Sequence, residues 1–198
     1  QNIKKYYSVG GLRDFDFHFM STVFEVDMEV EECTYETIPQ EKTSSIAVGG
    51  HLEGKRIGFD VGGSDLKVSA VLNGETISSE EIVWLPKLNS DFTYHYENLY
   101  QAMMKGVEKL GGDVDAIGIS AAGVIVSNKP MVSSIFIKVP KEDFEYVKGA
   151  YINVIKRISN ELGHPVAFEV ANDGDVTALA GALDLKETCV LGIAMGTS

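Results

Sequence analysis

Cysteine is scarce. The 198 residues hold only Cys33 and Cys189, far apart and without metal-ligand spacing around either. That argues against a disulfide scaffold or a zinc module and fits a reduced, cytoplasmic setting. Positive charge is short as well, with 17 Lys and Arg against 29 Asp and Glu, a formal net charge of −12. Non-specific nucleic-acid binding needs a basic face, so the expectation is no nucleic-acid partner. No apolar run approaches the ~20 residues of a membrane span, and no basic, apolar leader opens the chain. A membrane partner is therefore not expected. No GxxxxGK[ST] occurs, which excludes a P-loop enzyme. A dinucleotide oxidoreductase is excluded because the Gly62-Gly63 turn leads into a strand pattern, not a helix. The chain starts at Gln1, not Met, and stops at Ser198 directly after a Gly-Thr, so it reads as a piece of something longer.

What is present is enough for a folded core, since 44% of residues are hydrophobic. Two regions differ in pattern. In residues 1–54, Phe15, Phe17 and Phe19 alternate with Asp14, Asp16 and His18, and Val26, Met28 and Val30 alternate with acidic residues. Period-two alternation predicts half-buried strands with a wet acidic face, so this segment reads as β-rich, acidic and of unknown role. Carboxylates that alternate this way point into solvent, which favours a solvated face over a metal site. Residues 40–54, with Gly49, Gly50 and Gly54, read as a linker.

From Lys55 onward the pattern is α/β. Strands are predicted over 55–61, 65–72 and 76–84, with Asn73-Gly74 as a two-residue hairpin turn. A helix follows over about 92–110, then a strand over 116–120 and an apolar stretch at 131–139 of undetermined form. The clearest helix spans about 141–162, where Phe144, Val147, Tyr151, Val154, Ile158 and Leu162 recur at helical steps. A strand over 165–170, a short helix after Asn172-Asp173 and an apolar strand over 188–195 complete the reading. The Met103-Met104 pair fits core filling better than cofactor contact.

The stretch RIGFDVGGSDLKVSAVL, Arg56–Leu72, carries the first chemical signal. Its two apolar runs meet at Gly62-Gly63-Ser64, a turn whose bare backbone lets N–H groups approach a phosphate. Asp60 stands at the strand end facing that turn, where a carboxylate suits a hydrated Mg²⁺. A purely structural hairpin has the same pattern. The second signal is Asn172-Asp173 at a strand-to-helix junction. Asp173 suits a helix N-cap, and a carboxylate there is stabilised as the anion, as a base accepting an alcohol proton must be. Asn172 offers a donor and an acceptor to a hydroxyl-rich ligand. Ligands of open α/β sheets collect beyond the carboxyl ends of strands. Asp60, Gly123 and Asn172 fall at such ends, and Gly196-Thr197 is a third Gly-rich turn suited to phosphate. Lys67 reads as a surface side chain.

The segments DVGGSDLK, GISAAG, LGHPVAFEVANDGDVTALAGA and LGIAMGTS resemble those of the ROK (repressor, open reading frame, kinase) sugar kinases of the actin-like ATPase and hexokinase superfamily. The resemblance covers about 55–198 and is most specific in the first and third segments. It implies an actin-like ATPase (ribonuclease H-like) lobe, a mixed sheet flanked by helices, whose second lobe is not in this chain. It also implies ATP-dependent phosphorylation of a sugar hydroxyl, with ATP and Mg²⁺ as cofactors, a small-molecule sugar as partner and room for a homodimer. By that resemblance Asp60, Gly62, Gly63, Ser64, Gly196 and Thr197 contact nucleotide phosphates, with Asp60 ordering Mg²⁺. Asn172 and Gly123 contact sugar, and Asp173 is the general base. Departures are visible: Asp175 replaces the second Asn of the family's NDAN motif, Ser64 replaces Thr, and AAG replaces a PGP-like turn. Two competing readings remain, a non-catalytic sugar- or nucleotide-sensing protein and an actin-like ATPase without a sugar pocket. ATP in this superfamily lies between two lobes, so the fragment is expected to be inactive alone.

Overall fold

The computed structural model describes residues 2–41 and 51–196. The chain divides into two compact units, Gln1–Val48 and Gly49–Ser198. In the first, helices α1 (Asn2–Tyr6) and α2 (Asp14–Phe24) stand where strands were expected, and no strand occurs among its described residues. The period was misread because DFDFHFMSTVF satisfies two spacings at once. Phe15 and Phe19, four apart, stack with ring centroids 6.2 Å apart, and Phe17 and Val23 are the buried pair. Asp14 and Asp16 in the first turn favour the helix dipole. The hydroxyls of Ser21 and Thr22 donate back to the carbonyls of Phe17 and His18. A strand would need a ladder partner, and a helix satisfies its own backbone. Residues 26–33 have no regular structure. Of the predicted linker, 42–50 lie outside the described residues.

The second unit is α/β, with a five-stranded mixed sheet in the order β3 (Glu75–Val83), β2 (Asp65–Leu72), β1 (Lys55–Val61), β4 (Ala116–Ala121) and β7 (Ala167–Asn172). Strands β1 (Lys55–Val61), β2 (Asp65–Leu72) and β3 (Glu75–Val83) form an antiparallel meander. The β2–β3 turn places Asn73 and Gly74 at φ 49° and 85°, the positive values that a two-residue hairpin with right-handed twist requires. Strands β4 (Ala116–Ala121) and β7 (Ala167–Asn172) extend the sheet parallel to β1. Parallel neighbours need crossovers, supplied here by helices. The first is α3 (Phe92–Lys109), capped by the Asp91 carboxylate, which accepts from the Thr93 N–H. The second is α4 (Phe144–Lys148) with α5 (Ala150–Leu162), two segments meeting at Gly149 where one helix was predicted. A small hairpin, β5 (Val124–Val126) with β6 (Lys129–Val132), lies between β4 and α4. Helix α6 (Asp173–Leu185) leaves the end of β7. This order, three antiparallel strands and then two parallel ones, is the ribonuclease H-like arrangement.

The core is one apolar cluster between the sheet and α3 with α5. It includes Ile57, Phe59, Val68, Leu99, Met103, Ile117, Tyr151 and Ile158. Removing one such side chain, as in Ile158→Ala, costs about 2–5 kcal/mol through lost transfer energy and the cavity left behind. The strand expected over 188–195 does not form, and Leu191 and Met195 are exposed. No described strand lies beside it to complete a ladder.

Parallel pairing aligns three strand ends. Asp60 lies opposite Ser120, and Val61 opposite Ala121, which in turn lies opposite Asn172. This row of carboxyl-terminal ends is where the cleft opens.

Candidate active site

A cleft of about 720 Å³ opens at that edge. One wall is the β1–β2 turn with Asp60, Gly62, Gly63, Ser64, Asp65 and Lys67; Ser120 of β4 forms the floor. The opposite wall is the first turns of α6, with Asp173, Val176 and Thr177, and Ala194–Gly196 closes a third side.

The turn is tightly determined. The Gly62 N–H donates to the Asp65 carbonyl at 2.9 Å, closing three residues between the strands. A Cβ on Gly62 would lie 2.8 Å from both that carbonyl oxygen and Asp65 Oδ1, so only glycine fits without displacement. From behind, Trp84 Nε1 donates to the Gly62 carbonyl at 2.9 Å and the Trp84 N–H donates to the Ser64 carbonyl at 3.1 Å. The N–H groups of Gly63 and Ser64 have no protein acceptor among the described residues. The turn thus offers two donors at the cleft wall, as a nest for an anion does.

Charge at this wall is mixed. Lys67 Nζ lies 2.8 Å from Asp65 Oδ2 and 3.9 Å from Asp60 Oδ2. The hydrogen bond from Lys67 holds the Asp65 carboxyl below the usual carboxylate range, and the same bond raises the Lys67 ammonium. Lys67, read as a surface side chain, is exposed and also lines the cleft. Asp60 and Lys67 are register partners in β1 and β2, so pairing the hairpin across a three-residue turn puts both on one face. That signal was available in the sequence.

At the opposite wall the cap is Asn172, not Asp173. Asn172 Oδ1 accepts from the Gly174 N–H at 2.8 Å, and Nδ2 donates to the Gly123 carbonyl at 2.9 Å. Its carboxamide therefore ties the start of α6 to the loop after β4. Asp173 occupies the first helical position, its Oδ1 accepting from the Gly174 N–H at 3.0 Å, and the residue lines the cleft.

Of the predicted residues, the cleft gathers Asp60, Gly62, Gly63, Ser64, Asp173 and Gly196. Asn172 and Gly123 stand beside it, bonded to each other, and do not line it. Gly123 has φ +116°, and a Cβ there would lie 2.0 Å from the Val132 carbonyl oxygen, so its glycine has a local structural reason. Thr197 lies outside the described residues. Sequence reasoning missed Asp65, Ser120 and Trp84. Among the described residues no group of three or more His, Cys, Asp or Glu is placed to hold a metal ion. No helix among them is long and apolar enough to cross a membrane.

Known structures similar to the chain include a ROK hexokinase from Thermus thermophilus, at 20% identity and a TM-score of 0.43 over 65% of this chain and 37% of that one. A proposed sugar kinase from Cytophaga hutchinsonii matches at 19% identity and a TM-score of 0.48, over 65% of this chain and 39% of that one. A ROK family transcriptional regulator, a homologue of the E. coli MLC protein, matches at 16% identity and a TM-score of 0.42, over 67% of this chain and 31% of that one. The chain thus spans less than two fifths of each of these proteins. No protein-family model matches the chain, and no curated protein does.

Proposed function

We propose that the chain is one lobe of an ATP-dependent sugar kinase of the ROK type. The observation that carries this reading is the common cleft, with a donor-rich Gly turn on one wall and the Asp173 carboxylate on the other. Phosphoryl transfer asks a protein for positioning and charge stabilisation more than for covalent chemistry, and these two walls divide that work.

In this reading the free N–H groups of Gly63 and Ser64, with Lys67, hold the oxygens of the ATP phosphates. Asp173 orients a sugar hydroxyl and takes its proton as the hydroxyl oxygen bonds to the terminal phosphorus and the bond to the ADP oxygen breaks. Asn172 keeps one N–H and one lone pair beyond its two scaffold bonds, and through these it meets a sugar hydroxyl near Gly123. Asp60 offers one carboxylate at the turn, where it would hold a magnesium ion largely through water. Magnesium, when bound, neutralises charge on the phosphates.

The test is a panel of sugars with ATP and magnesium on the intact protein that contains this chain, monitoring ADP release. One sugar is expected to stimulate release strongly, and Asp173→Asn to lower that turnover by about 10²-fold or more. Sugar binding without turnover selects a sensor instead. ATP hydrolysis indifferent to every sugar selects an actin-like ATPase.

A further inference from the structure

We propose that Trp84 is a positioning residue for the anion-binding turn, and that this one tryptophan of the chain reports on what the turn binds. The inference rests on reading the cleft as a polyphosphate site and adds a residue that the reading did not contain.

The argument starts from peptide geometry. A trans peptide is planar, and its C=O and the following N–H point in opposite directions. Trp84 Nε1 holds the Gly62 carbonyl at 2.9 Å. The N–H of Gly63, in the same peptide plane, is thereby aimed directly away from the indole. Trp84 is 1% exposed and sits behind the turn, whereas Gly63 lines the cleft. The indole thus fixes the direction of a cleft-facing donor without touching the ligand. The Trp84 main chain adds a second tie at the Ser64 carbonyl, 3.1 Å away.

The indole is itself immobilised. Its ring stacks on Tyr94 at 6.5 Å between centroids and meets His95 edge-on at 6.0 Å. His95 is fully buried, its ring nitrogens 3.0 Å and 3.1 Å from the carbonyl oxygens of Asp91 and Pro86. The Tyr94 hydroxyl donates to no cleft group; it accepts from the Leu85 N–H at 2.9 Å. A bare glycine turn has many backbone states, and an anion site is strong only when its donors are already aimed. Trp84 supplies that order here, from a rigid aromatic wedge in the core.

The experiment compares the intact protein that contains this chain with its Trp84→Phe variant, which keeps a ring and loses the N–H. Calorimetric titration with ATP and magnesium, and separately with inorganic tripolyphosphate, measures affinity, and far-UV circular dichroism monitors the fold. The expected result is about 5- to 10-fold weaker binding of both anions, the loss of one hydrogen bond's worth of ordering, with the fold unchanged. In the unsubstituted intact protein the Trp84 indole N–H resonance, identified by its loss in Trp84→Phe, is expected to shift and exchange more slowly on saturation with either anion. That measurement also decides the matter if Trp84→Phe fails to fold. Equal affinity in a folded variant, or an indole resonance indifferent to saturating anion, overturns the positioning role and leaves the nucleotide reading standing. An unsubstituted intact protein that binds neither anion overturns the nucleotide reading, and this inference with it.

Discussion

Replacing Asn172 by alanine removes two bonds of different kinds, and their sum can be worked out beforehand. The first is the helix cap, Oδ1 accepting from the Gly174 N–H at 2.8 Å. Losing such a cap costs about 1 kcal/mol, within a range of about 0.5–2. The second is the bond from Nδ2 to the Gly123 carbonyl at 2.9 Å, which joins α6 to the loop after β4 and contributes about another 1 kcal/mol. Asn172→Ala should therefore destabilise the second unit by about 2 kcal/mol. Asn172→Ser keeps a capping oxygen and gives up only the reach to Gly123, so it should cost about half as much. Urea unfolding followed by tryptophan fluorescence is the assay, because the single tryptophan lies buried in that unit. A loss under about 0.5 kcal/mol in Asn172→Ala, or equal losses in both variants, would refute the view that this carboxamide clamps the site.

Other expectations follow from single features of the fold. The Tyr151 hydroxyl is buried without a hydrogen-bond partner, and burial pushes its phenol pKa up; Tyr151→Phe should raise stability by about 0.5–1.5 kcal/mol in the same urea assay. Gly123→Ala should destabilise by at least about 2 kcal/mol, since its Cβ would collide with the Val132 carbonyl at a positive φ, and the loss should appear as a lower melting temperature. The hydrogen bond to Asp113, at 2.7 Å, raises the His164 pKa above 6.5, and the same bond lowers that of Asp113. A raised histidine adds stability that is complete below 6.5 and is lost as pH climbs through its higher folded value. The urea midpoint should accordingly fall above that pH, and His164→Asn should flatten the fall.

How far the sequence disclosed all this depends on where competing periods meet. The meander was legible because Asn73-Gly74 and Gly62-Gly63-Ser64 admit few backbone alternatives between apolar runs. The helices α3 and α5 were legible from one-sided apolar spacing. The run from Asp14 to Phe24 was not, since its phenylalanines satisfy period two and the four-residue helical step alike, and what decides is that a helix bonds its own backbone where no described strand of that unit is there to pair. The run over 188–195 has strand composition but no described neighbour to pair with, and composition cannot supply one. At the site, the turn and Asp173 stood out because each breaks an apolar pattern. The roles of Trp84 and Asn172 were hidden because they act through backbone carbonyls, which leave no mark in the sequence.

A residue-resolved amide NMR titration of the intact protein that contains this chain with ATP and magnesium tests most directly whether the turn and the acid face one ligand. The predicted result is a set of shifts concentrated at Gly63, Ser64, Lys67, Ser120 and the Asp173–Thr177 turn. A folded protein whose amides there stay unmoved at saturating ATP, or whose shifts gather instead at the hollow around Gly58, Gly118 and Phe168, would contradict it.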